Sequence, residues 1–244
     1  MEQLLTPENL IALLTLTVLE IVLGIDNIIF ISILVNKLPE SKRALARNLG
    51  LGLAMGTRIL LLFSISFILS FTVPLFAVMN HEISGRDLVL LAGGLFLIWK
   101  STFEVHSSLE GEEHEVKVKG KDALMAILFQ IMMLDIIFSI DSVITAVGMV
   151  ESLTVMTTAI MIAVIIMMFA AKSIGEFVEA HPTVKMLALS FLIMVGVMLI
   201  AESLDFHIPR GYVYFSLAFS VAVEMLNIQI RAKAKPVDLK ERIK

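Results

Sequence analysis

Residues 19–29 read LEIVLGIDNII, and residues 134–144 read LDIIFSIDSVI. The two stretches align without a gap. Each is an acid, five residues, an aspartate, and then a small amide or hydroxyl residue. The acids are Glu20 and Asp26 in the first copy and Asp135 and Asp141 in the second, both displaced by the same 115 positions. Apolar helices match one another easily, so the Leu, Ile and Val identities count for little. Two acids in register inside apolar runs are much harder to obtain by chance, because acids inside membrane segments are rare and costly.

The surroundings place these motifs in a membrane. Of 244 residues, 58% are hydrophobic and only 17% charged, and the mean hydropathy is +0.92. A soluble chain of this length carries more charge. A spanning helix needs ~20 mostly apolar residues, and seven stretches qualify: 9–35, 45–73, 87–103, 123–150, 153–173, 184–203 and 211–230. Barrel strands would alternate over ~10 residues, which these do not. The expected fold is an all-α polytopic membrane protein with seven transmembrane helices. Turn chemistry lies between them at 36–39, Pro74, 111–120, His181–Pro182 and 209–211. No basic leader precedes the first apolar run.

Two further stretches extend the repeat. Residues 94–100 (GLFLIWK) can be laid on 196–202 (GVMLIAE). Spans one to three then form one unit and spans four to six a second. An odd number of crossings per unit turns the second upside down, giving an inverted repeat of 3+3 plus one extra helix, with a site at the midplane. The domains expected are a first repeat at 1–104, an acidic cytoplasmic loop at 105–121, a second repeat at 122–205, a seventh helix at 206–231 and a basic tail at 232–244. Lys and Arg crowd alternate loops (Lys37, Lys42, Arg43 and Arg47; Lys117, Lys119 and Lys121; then the tail), which puts the N-terminus outside and the C-terminus in the cytoplasm.

A carboxylate at the bilayer centre costs at least ~2.5 kcal/mol, so four need bound cations, protons or buried bases to offset them. Antiparallel helices would level Glu20 with Asp141 and Asp26 with Asp135. Six residues advance a straight helix by ~600°, so the two acids on one helix point ~120° apart. Either each helix unwinds locally, for which Gly24 and Ser139 are suited, or the acids serve two neighbouring sub-sites. Carboxylate, amide and carbonyl oxygens suit manganese, magnesium or calcium, with Asn27 and Ser142 as further ligands. The absence of imidazole and thiolate disfavours zinc. The 15 Met residues read as apolar filler rather than a copper site.

Arg58, in the second span, is a candidate counter-charge facing inward. Lys172, one residue from the repeat-equivalent position, and Glu224, one turn from Asn227 in the seventh span, are weaker candidates for charge balance or coupling. Protons on the acids would instead couple cation movement to proton exchange. Lys100 and Glu202 read as interfacial, and the loop from Glu104, with His106 and His114, as a solvated acidic segment. Lacking cysteine, the chain has no disulfide, thiol catalysis or iron–sulfur cluster. Nucleotide-binding motifs are absent, as is a nucleophile or dyad, so neither an enzyme nor a prosthetic cofactor is expected, and nucleic acid is not an expected partner. The competing reading is a membrane scaffold or accessory protein that moves nothing and whose buried acids only hold helices together.

At these residues the chain resembles the TerC family of integral membrane proteins. The likeness is carried by EIVLGIDN (20–27), DIIFSIDS (135–142), GTRILLL (56–62) and HPTVKMLALSFL (181–192), and covers about residues 8–230. The resemblance is to the family's short form, in which no cystathionine-β-synthase pair or transporter-associated domain is expected after the last helix. The resemblance implies manganese efflux across the bacterial cytoplasmic membrane. It places the family's acidic positions on Glu20, Asp26, Asp135 and Asp141, with Asn27 following in the first motif and Ser142 in place of an amide in the second.

Overall fold

The computed structural model describes residues 6–64, 69–78, 81–110, 121–150 and 152–233. Within these helices and strands, the side chains of twelve residues, Asp26 and Asp141 among them, lie outside the description.

Helix α1 (Pro7–Val35) starts where the Thr6 hydroxyl accepts the Asn9 N–H at 3.4 Å and Pro7 opens the first turn, a placement in which the missing N–H costs nothing. After a four-residue turn, α2 runs Glu40–Phe63. Strands β1 (Pro74–Val78) and β2 (His81–Ser84) form an antiparallel hairpin. Helix α3 (Gly85–Glu110) follows directly, its start closed by the Ser84 N–H and hydroxyl donating to Asp87 at 2.9 and 2.6 Å. Then come α4 (Lys121–Met149), α5 (Leu153–Ala180), α6 (Pro182–Ser203) and α7 (Arg210–Lys233). Ser152 caps α5 through the Val155 N–H, and Pro182 separates α5 from α6 by opening the latter.

Seven helices among the described residues are long and apolar enough to cross a membrane. The protein is therefore a polytopic helical membrane protein. Large apolar side chains also cover the outside of the helices, with Phe169 82% exposed and Leu14, Leu60 and Phe129 similarly turned out. Such an outer face suits hydrocarbon rather than water.

Three expectations are corrected. The second span does not run to residue 73: α2 ends at Phe63, with Ser64 in the cap, and a hairpin begins at Pro74. Proline at the first position of a strand sacrifices no interior ladder bond. The third span does not stop at residue 103 but continues to Glu110. The third concerns unwinding. Both α1 and α4 run unbroken through Gly24 and Ser139. A Cβ on Gly24 would lie 2.2 Å from the Met167 sulfur of α5, so the glycine serves close packing. Ser139 spends its hydroxyl on a side chain, described below.

Among the described residues, those up to Ile208 form one compact unit and those from Pro209 another. In the first unit α3 packs on α6, α1 on α5 and α2 on α4, with further contacts of α2 on α5 and α1 on α4. The helices of residues 1–104 thus pair with those of 122–205 rather than forming a separate lobe. At the α3–α6 crossing, a Cβ on Gly94 would meet the Gly196 carbonyl at 2.6 Å, and one on Gly196 the Gly94 carbonyl at 2.9 Å. Small residues let membrane helices approach this closely.

Candidate functional site

The motif helices α1 and α4 meet around one side chain of α2. Arg58 is buried, 3% exposed. Its Nη1 donates to Glu20 Oε2 on α1 and its Nε donates to Asp135 Oδ1 on α4 at 3.0 Å. Both acids are as deeply buried as the arginine. The planar guanidinium suits this, since separate N–H groups of one fork reach two carboxylates at fixed geometry.

Asp135 is the better supplied of the two acids. Asn27 Nδ2 also donates to its Oδ1 at 3.1 Å. Its Oδ2 lies 2.9 Å from the Thr57 hydroxyl and 3.3 Å from that of Ser139. The Thr57 hydroxyl is also 2.9 Å from the Ala54 carbonyl and has one proton to give. Three donors, and a fourth when Thr57 turns its proton from Ala54, therefore reach a carboxylate that has about four lone-pair positions. In a low-dielectric interior such satisfaction is what makes a buried charge tolerable.

The placement of the remaining candidates is uneven. Asn27 joins the first motif to the second through Asp135. Ser142 is buried, but its hydroxyl turns to the Ser139 carbonyl of its own helix at 3.3 Å. Asp26 and Asp141 lie on α1 and α4, with side chains outside the described part. Lys172 does not join the network. It is exposed on α5 and faces Glu176, one turn on, at 3.8 Å. Glu224 belongs to the second unit, where it accepts from Asn227 at 3.3 Å. Beside Glu20 a small cavity is lined mainly by apolar residues of α1, α2, α4 and α5, including Leu16, Leu62, Val143 and Met156.

Sequence reasoning missed Thr57 and the role of Ser139. The available signals were a hydroxyl next to the buried base in GTRILLL, and a hydroxyl one turn after Asp135. Glu104 was also misread as the start of a solvated loop. It is 4% exposed, paired with Lys37 from the α1–α2 turn and with Lys100 at 3.2 Å. Lys100, one helical turn before it, turns to the same carboxylate as Lys37. Burial holds the Lys37 ammonium below its ordinary value, against the pull of Glu104. Nearby, Arg43 donates to the Leu38 and Asn36 carbonyls and to Glu179 at 2.9 Å, tying that turn to α5. His106 pairs with Glu110 at 3.0 Å on the exposed end of α3; His114 lies outside the described residues.

Spans packed around a buried, ion-paired set of acids define an integral membrane protein with a polar centre. The chain belongs to the TerC family: the model described as "Integral membrane protein TerC family" matches residues 5–238. It is 61% identical over 230 residues to a UPF0053 protein of Haemophilus influenzae, covering 94% of this chain and 97% of the relative. It is 60% identical over 231 residues to the UPF0053 inner membrane protein YgdQ of Escherichia coli, with 95% and 97% covered. Against the E. coli UPF0053 inner membrane protein YoaE, it is 50% identical over 228 residues, which is 93% of this chain and 44% of the longer relative. No solved structure matches.

Proposed function

We propose that this protein is a secondary transporter that exports divalent cations, manganese foremost, across the bacterial cytoplasmic (inner) membrane. One observation carries the reading: Glu20 and Asp135, at corresponding positions of the two motifs, share one buried guanidinium. The two acid motifs therefore converge on one centre inside the spans. Hard oxygen donors collected there suit manganese, magnesium or calcium. Manganese is what membership of the TerC family favours, and the names of YgdQ and YoaE support the inner membrane. The cross-pairing of α1 with α5 and α2 with α4, and the reciprocal glycine contact of α3 with α6, support an inverted repeat. Alternating access would then be a rocking of one repeat against the other, with protons on the acids as the coupling ion.

The saturation of Asp135 by donors favours a second reading, a membrane scaffold in which the network only fastens helices. Cell metal content separates the two. Under excess manganese, overproduction of the protein should lower cell manganese, and the Asp26→Asn Asp141→Asn double variant should not. If neither alters any divalent metal, transport is overturned and the scaffold stands.

A further inference from the structure

Resting on that transporter reading, we infer that Arg58 is a tethered internal cation: it occupies the acids of the empty carrier, and the transported ion must displace it. The argument begins with lone pairs. A divalent cation binding Asp135 takes carboxylate lone pairs, yet donors already reach both oxygens of that group, with Thr57 a fourth when its proton turns from Ala54. One donor must leave. Asn27, Thr57 and Ser139 are neutral and are themselves oxygen-bearing, so they can turn to present oxygen to a metal. Arg58 has no acceptor and carries a positive charge that repels the incoming ion. It also holds Glu20, so its withdrawal removes one cation from both acids at once.

The same tether serves the return step. Without a cation or Arg58, the buried Asp135 carboxylate would face the low-dielectric interior with neutral donors but no countercharge, which is costly. A carrier in that state is held where water reaches it. With Arg58 bridging Glu20 and Asp135, the empty site is internally paired and free to reorient. Arg58 thus weakens cation binding and permits net movement. It acts through Glu20 and Asp135, as a positioning residue.

Purified full-length protein in liposomes, probed with Mn2+ alone, tests this. Arg58→Gln should bind Mn2+ on the order of tenfold or more tightly, as expected when a charged hydrogen-bonding competitor is removed. It should lose net Mn2+ flux while retaining exchange of labelled for unlabelled Mn2+, because only the loaded carrier still crosses. Arg58→Lys, whose single ammonium cannot bridge both acids with a planar fork, should restore part of the net flux. A purely structural tie would lower binding, flux and exchange together, and that result in a folded Arg58→Gln protein overturns the inference. Should Arg58→Gln fail to fold, Arg58→Lys decides alone: tighter binding with slowed net flux supports the tether, and wild-type affinity refutes it. Wild-type protein that neither binds nor moves Mn2+ removes the transporter reading itself. Wild-type transport with unaltered affinity in the variants removes only the tether.

Discussion

Asp135 shows how a charge survives inside a membrane span: its oxygens are met from α1, α2 and its own helix. Removing it would leave the Arg58 Nε and the Asn27 amide without that acceptor. Asp135→Ala should therefore cost about 3–5 kcal/mol of stability, as breaking a buried pair does. Thr57→Val, which deletes one neutral donor with an alternative acceptor at Ala54, should cost about 1 kcal/mol. Thermal unfolding of the two variants in one detergent checks the ordering, and equal losses would mean that the network is slack. At this scale the sequence was legible where chemistry is expensive. Glu20, Asp135 and Arg58 stand out because charges in apolar runs demand a reason. Thr57 and Ser139 did not stand out, since a hydroxyl in a membrane helix can turn back to its own backbone at little cost, as Ser142 does. Glu104 misled for a related reason: its partner Lys37 is 67 positions away, and no local pattern announces that pair.

The spanning helices were legible in number, because an apolar run long enough to span has few alternatives, while the β1–β2 hairpin was not foreseen. The helix ends were not legible. The run from Ile59 to Val73 carries no charge, and hydropathy alone does not mark the stop at Phe63. Glycines were ambiguous in the same way. Gly24 looked like a break and instead admits a neighbouring side chain. The glycines of α2, α3 and α6 allow a contrast. At Gly94 and Gly196 a methyl group would strike backbone carbonyls, which cannot move aside as a side-chain tip can. At Gly52, in α2, nothing lies within 4 Å. Alanine at Gly94 or Gly196 should destabilise by about 1–3 kcal/mol through overpacking. Alanine at Gly52 should stabilise by up to ~1 kcal/mol, the helix-propensity difference. Unfolding midpoints in the same detergent test this. A neutral Gly94→Ala would show that α3 and α6 do not depend on their close approach.

At the scale of the molecule the open question is which side each end faces, and charge supplies the argument. Basic residues gather at one end of the first unit: Lys37 and Arg43 beside the α1–α2 turn, bound to Glu104 at the end of α3 and Glu179 near the end of α5. The hairpin lies in the α2–α3 connection, at the opposite end of those helices in chain order. Short loops rich in Lys and Arg stay in the cytoplasm because basic residues resist translocation, while Asp and Glu contribute little to orientation. The basic turn should therefore be cytoplasmic and the hairpin external. A chain without cysteine gives this test no background. Ser41→Cys, in the first turn of α2, and Glu82→Cys, on β2, both replace exposed residues. In sealed right-side-out vesicles, a membrane-impermeant maleimide should label Glu82→Cys at once and Ser41→Cys only after permeabilisation. The reverse pattern would invert the whole molecule and, with it, the side on which an exported cation enters. Labelling of both sites in sealed vesicles would mean that the turn and the hairpin share a side, which an α2 crossing once cannot allow.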